Sequence, residues 1–146
     1  MFTHPIYLAL KEEIKHIAPV FNYKGQYLQG KGNQSYIVPA IYIEMPKNTP
    51  VTYSGRGRKI MKPAQIKIHY ISNAPYSGHD NVIQEAALQQ HSAALTAIDD
   101  KTQGKVFFRP DQNIRTQKMR QTAANEFNYL EGHVYSILTY TTEIYN

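Results

Sequence analysis

His133-Val134-Tyr135-Ser136-Ile137-Leu138-Thr139-Tyr140-Thr141-Thr142-Glu143-Ile144-Tyr145 is the most regular stretch of the chain and sets the expected fold class. Val134, Ser136, Leu138, Tyr140, Thr142 and Ile144 alternate with Tyr135, Ile137, Thr139 and Thr141, and β-branched and aromatic residues fill both sets, so the segment reads as a long strand. At ~3.3 Å per residue it would span roughly 43 Å. A compact domain of this length is only about 38 Å across. Part of the strand is therefore expected to project or bend, and Tyr140, Thr142 and Ile144 become candidates for a contact with a neighbouring subunit.

Working backwards, Ile66, Ile68 and Tyr70 alternate with Gln65, Lys67 and His69, which predicts a strand over Ile60 to Ser72 with a core face and a wet face. Tyr36 to Met45 reads as another, with Pro39 at a sheet edge or at the start of pairing because it lacks an N–H. Val20 to Tyr27 and the short run Val106-Phe107-Phe108 are two more, and the glycine-bearing stretch Gln29 to Gln34 is a loop. Two helices complete the set. The first has Thr3 or His4 as cap, Pro5 in its first turn and an apolar stripe of Ile6, Leu10, Ile14 and Ile17 that Pro19 ends. The second follows the break Asn73 to Gly78, with His79 or Asp80 as cap, and runs to about Asp99 with Ile83, Ala87, Leu88, Ala94, Leu95 and Ile98 on one side. Asp111 to Asn128 is polar and shows no period.

These elements predict one α+β domain over residues 1–146: two layers, a mostly antiparallel sheet of four to five strands, two helices on one face, and a long extended arm. The chain has 146 residues with 12 Tyr, 5 Phe, no Trp and no Cys, so disulfides, thiolate zinc sites and thiol chemistry are excluded. Neither a membrane-length apolar run nor a signal-peptide pattern is present, and a soluble, unexported protein is expected.

Charge is distributed unevenly. Lys47, Arg56, Arg58, Lys59 and Lys62 stand in the arm without an acid, giving +5. Lys101, Lys105, Arg109, Arg115, Lys118 and Arg120 against Asp111 give a second +5. The net charge of the chain is +5, so the other 110 residues sum to −5. Two basic segments on an acidic body point to a surface that meets nucleic acid or an acidic partner; the plainer alternative is two solvated loops.

Catalytic chemistry finds little support. His4, His16, His69, His79, His91 and His133 show none of the spacings that place metal ligands on one face. His79 with Asp80 reads as a helix entry, His91 as a satisfied core histidine and His69 as a surface residue of its strand. Glu44, Asp80 and Glu85 lack the spacing of a two-metal site. Ser54-Gly55-Arg56-Gly57-Arg58 is not a P-loop, because GxxxxGK[ST] is absent. Tyr53 and Tyr76 are candidates for stacking on bases. No catalytic residue, metal or cofactor is expected.

The opening helix His4-Pro5-Ile6, the strand Pro39-Ala40-Ile41-Tyr42-Ile43-Glu44, the excursion after it, the strand Gln65 to Ser72, the helix from Asp80 and the ending Thr141-Thr142-Glu143-Ile144-Tyr145 together resemble the tail terminator, or tail completion, proteins of long-tailed bacteriophages. The resemblance covers most of the chain as an order of elements, Asp111 to Asn128 excepted. It implies a non-enzymatic virion protein that forms a hexameric ring on the tail tube, meets the head-completion or connector proteins, touches passing DNA without sequence preference, and resides at the head-proximal end of the tail after assembly in the host cytoplasm. The alternatives are a head-tail connector, another minor tail protein, a small basic nucleic-acid-binding protein or a small enzyme.

Overall fold

A computed structural model describes residues 3–28, 36–74, 81–130 and 132–146. The expected loop Gln29 to Gln34, Tyr76 and the expected cap residues His79 and Asp80 lie outside them. Along the chain come helix α1 (His4–Ile14), strand β1 (Val20–Asn22), a 3-10 turn (Gln26–Leu28), β2 (Ala40–Glu44), β3 (Val51–Tyr53) and β4 (Lys59–Asn73). Helix α2 (Asn81–Thr102), β5 (Phe108–Arg109), a second 3-10 turn (Pro110–Gln112), β6 (Ile114–Thr116), β7 (Arg120–Leu130) and β8 (His133–Tyr145) follow.

The strands form one sheet of eight in the order β1-β2-β4-β8-β6-β5, with β3 beside β4 and β7 beside β8, and it curls into a half-barrel. This overturns the expected two-layer sheet of four to five strands with a free arm. Three causes account for the difference. The stretch Asp111 to Asn128 contains β6 and β7, and β7 shows no alternation because most of its side chains are exposed whichever way they point. The arm is a hairpin: Val51 to Tyr53 pair with Met61 to Lys59, and Gly57, at φ +76°, closes the turn by donating its N–H to the Ser54 carbonyl at 2.9 Å. The first expected strand stops at Asn22, after which Gln26 to Leu28 turn as a 3-10 helix.

The centre of the sheet is the antiparallel pair β4–β8, in register from Ile60↔Tyr145 to Asn73↔His133 with one irregularity between Met61 and Ala64. On the outer side of β4, β2 covers the end near Asn73 and β3 the end near Lys59. On the outer side of β8, β7 covers the first end and β6 the second. The long C-terminal strand therefore does not project. It is flanked on both sides, beside a β4 that is longer still.

Ile66, Ile68 and Tyr70 of β4, Ile41 and Ile43 of β2, and Leu138, Tyr140 and Ile144 of β8 face α1 and α2, whose Ile6, Leu10, Ile14, Leu95 and Ile98 close the main core. Each fully buried isoleucine or leucine stabilises the fold by roughly 1.5–3 kcal/mol relative to exposure. The opposite face is divided. Near β2 it is covered by Tyr27, Ala40, Tyr42 and Ile71, with Phe21, Tyr23, Tyr36 and Tyr135 packed around them. Toward Lys59 and Tyr145 nothing among the described residues covers it: Lys62, Gln65 and Arg115 are exposed, and Thr141, Glu143 and Tyr145 half-buried.

Candidate functional site

That open half-face gathers part of each of the two basic segments. Lys62 and Lys67 come from the outward parity of β4, Arg115 from β6 opposite Tyr145 of β8, and Lys118 and Arg120 from the link into β7. Arg56 and Arg58 come from the β3–β4 turn, which Ser54 holds: its Oγ accepts from the Arg58 N–H at 3.2 Å. Two adjoining clefts result. One, of about 470 Å³, is lined by Lys62, Lys118, Arg120, Thr141 and Glu143 among others. The second, of about 570 Å³, is lined by Arg56, Arg58, Ile60 and Tyr145 and shares Gln117 and Glu143 with the first.

Five cations thus surround one carboxylate. Glu143 pairs with Lys62 at 3.0 Å, an exposed contact worth about 0–1 kcal/mol, which leaves the field of Arg56, Arg58, Lys118 and Arg120 uncompensated. Arg115 is held differently. Its guanidinium carbon lies 5.3 Å from the centre of the Phe108 ring and 5.9 Å from that of Tyr145, within cation–π reach of both, while the side chain stays exposed.

Five of the expected basic residues stand apart, among them Lys101 and Lys105, which line the cleft of Glu12 and Glu13. Lys47 lines a separate cleft of about 400 Å³ with Glu44 and Lys67. Lys59 pairs with Tyr53 and its backbone N–H donates to Asn146 Oδ1 at 2.8 Å. Arg109 meets Asp111 at 3.4 Å and lines a cleft with Glu12 and Glu13 of α1.

The expected subunit contact is corrected. Tyr140 and Ile144 are fully buried and Thr142 nearly so, because their parity of β8 points at the helices. Tyr140 O–H donates to Asp99 Oδ1 of α2 at 2.6 Å, and burial with this bond pushes its phenol well above the usual range. Tyr140 and Ile144 build the core, and Thr142, at the floor of the cleft of Lys118 and Arg120, donates to the Gln117 carbonyl at 2.9 Å.

Two histidines form buried networks. His91 on α2 bridges Ser72 of β4 and Ser136 of β8, each at 2.7 Å, so a neutral imidazole donates from one ring nitrogen and accepts at the other. This is the satisfied core histidine expected from its place in the helix. His69 departs from expectation. Its parity is wet further along β4, but here Tyr23 stacks on the ring at 3.9 Å and Tyr27 O–H meets Nδ1 at 2.5 Å. Its Nε2 lies 3.4 Å from Glu44 Oε1 and makes no hydrogen bond. Burial holds both imidazoles down to about 4, with Lys67 adding to the effect at His69. The pairing of Tyr27 with His69 spans a segment without periodicity, so nothing in the sequence announces it.

Among the described residues no three His, Asp or Glu side chains are grouped to hold a metal, and no helix is long and apolar enough to cross a membrane. Of the carboxylates weighed for a two-metal site, Glu44 belongs to the His69 network, Glu85 is exposed on α2, and Asp80 lies outside the described residues. The chain matches no family model, and no curated protein matches it.

Proposed function

We propose that this chain is a structural virion protein of the tail terminator kind: a subunit that assembles into a ring, hexameric as in those proteins, caps the tail tube of a long-tailed bacteriophage and joins it to the head-completion or connector proteins. The observation that carries this reading is the convergence of Arg56, Arg58, Lys62, Lys118 and Arg120, far apart in sequence, on one open half of the sheet. Such a face suits DNA passing through a ring lumen, where phosphates are met without base readout. With Tyr140, Thr142 and Ile144 buried, the subunit contacts fall to the sheet edges, where Val51, Tyr53, Phe127 and Tyr129 are exposed. No catalytic role, metal or cofactor enters this reading, and the protein's place is the head-proximal end of the tail.

Light scattering after size-exclusion chromatography, with negative-stain imaging in the presence and absence of tail tubes, tests the assembly. Rings, free or formed only on tubes, are expected. A monomer under both conditions that still retards DNA would favour the second reading supported by the same face, a stand-alone nucleic-acid-binding protein. Replacing Arg56, Arg58, Lys62, Lys118 and Arg120 by Ser should leave folding intact, since all five are exposed. Duplex binding should lose most of its salt dependence, which five phosphate contacts would set at a log–log slope of about −4.5. An unchanged slope would remove this face from the function.

A further inference from the structure

Across the open half-face, directly opposed residues form one row over five strands: Thr52 on β3, Ile60 on β4, Tyr145 on β8, Arg115 on β6 and Phe108 on β5. Opposed residues share a face, and strands lie ~4.8 Å apart, so the Phe108 and Tyr145 rings stand roughly 10 Å apart with the Arg115 guanidinium between them. Phe108 is 44% exposed, so its ring remains accessible beside its cation partner. Tyr145 lines the cleft of Arg56 and Arg58, which adjoins that of Lys62, Lys118 and Arg120, while Phe108 borders the cleft that holds Lys101, Lys105 and Arg109 with Glu12 and Glu13.

We propose that Phe108, Arg115 and Tyr145 form a stacking platform for unpaired bases, and that the ligand of this face is single-stranded nucleic acid whose phosphates follow the adjoining cationic clefts. The inference rests on the reading of this face as a polyanion surface, but not on assembly into a ring. Charge alone does not distinguish a duplex from a single strand. The rings do. A duplex keeps its base faces stacked inside and offers phosphates and groove edges, so an exposed Phe beside a guanidinium gains nothing from it; an unpaired base has a free π-face for which both the ring and the guanidinium are partners.

Fluorescence anisotropy of the whole chain with labelled oligothymidylate, oligouridylate and a duplex of equal length, at about 50 mM and about 200 mM salt, tests this. Both single strands should bind about tenfold tighter than the duplex, and the stronger of the two identifies DNA or RNA as the ligand. Phe108→Leu keeps an exposed apolar side chain without the π-face and should weaken single-strand binding about tenfold while leaving duplex binding unchanged. Arg115→Gln should weaken single-strand binding similarly. Equal or tighter duplex binding, or a Phe108→Leu variant that binds like the parent, would overturn the platform. If the Ser variants of Arg56, Arg58 and Lys118 still abolished binding in that case, the polyanion face would stand without it. A parent that binds none of the three at low salt would overturn both.

Discussion

His91 shows how much one side chain can hold together. Its two ring nitrogens tie α2 to both central strands, beside the Leu95 and Ile98 side chains that α2 sets into the main core and the Asp99 bond to Tyr140. Both His91 and His69 have an unfolded value near 6.5 and a folded value of about 4. The unfolded chain therefore binds protons that the native state refuses, so the stability they confer is complete above pH 6.5 and is lost as the pH falls towards 4. The loss is on the order of 3 kcal/mol for each histidine. Thermal unfolding followed by circular dichroism should give a melting temperature that declines through this window, and His91→Gln should flatten part of the decline. A melting temperature constant from pH 7 to 4 would mean that both rings are protonated in place, with Glu44 compensating at His69. Gly57 offers a cleaner case. A Cβ there meets nothing within 4 Å, but the backbone sits at φ +76°. Gly57→Ala should cost about 1 kcal/mol through conformation alone, read as a lower urea midpoint with the same slope.

At the level of elements, β8 changes the expected effect of truncation. Removing Thr141 to Asn146 takes away the buried Thr142 and Ile144, the partners of β6, and the far third of the β4 ladder. The truncated chain should lose its sheet signal in circular dichroism; a folded, soluble truncation would show that the β3–β4 hairpin and the helices can close the core alone. What was legible in the sequence follows from burial. Strands β4 and β8 have one face against helices, so Ile66, Ile68, Tyr70 and Leu138, Tyr140, Ile144 mark their period. Strand β7 has no consistently buried face, and its period is invisible. His69 was misread because the same face of β4 is open at Lys62 and covered at His69, a change made by the chain from Tyr23 to Tyr27 and not by β4 itself. The two basic segments were legible as charge. Their meeting was not, because it depends on β3 and β6 flanking the same end of the β4–β8 pair.

For the molecule as a whole, the sheet has a covered helix side, an open basic half-face and, among the described residues, edges at β1, β3, β5 and β7 that no further strand pairs. A half-barrel with free edges on both sides can meet a copy of itself head to tail, and head-to-tail contacts close into rings when the rotation allows. Mixing a Tyr53→Lys variant with a Tyr129→Lys variant should then give incomplete assemblies in light scattering, since each spoils one edge; full rings from either variant alone would exclude that edge. The central pairing has one more consequence, for how the chain reaches this state. Strand β4 waits for a partner that is translated only after α2 and three further strands have been made. The β4–β8 pairing at the centre of the sheet joins segments distant in sequence, so refolding should proceed in milliseconds to seconds, the range of topologies dominated by distant pairings. On the ribosome the half-made chain would hold out a long strand rich in isoleucine with one side unzipped, so aggregation and chaperone binding should be greater during synthesis than once the protein has folded.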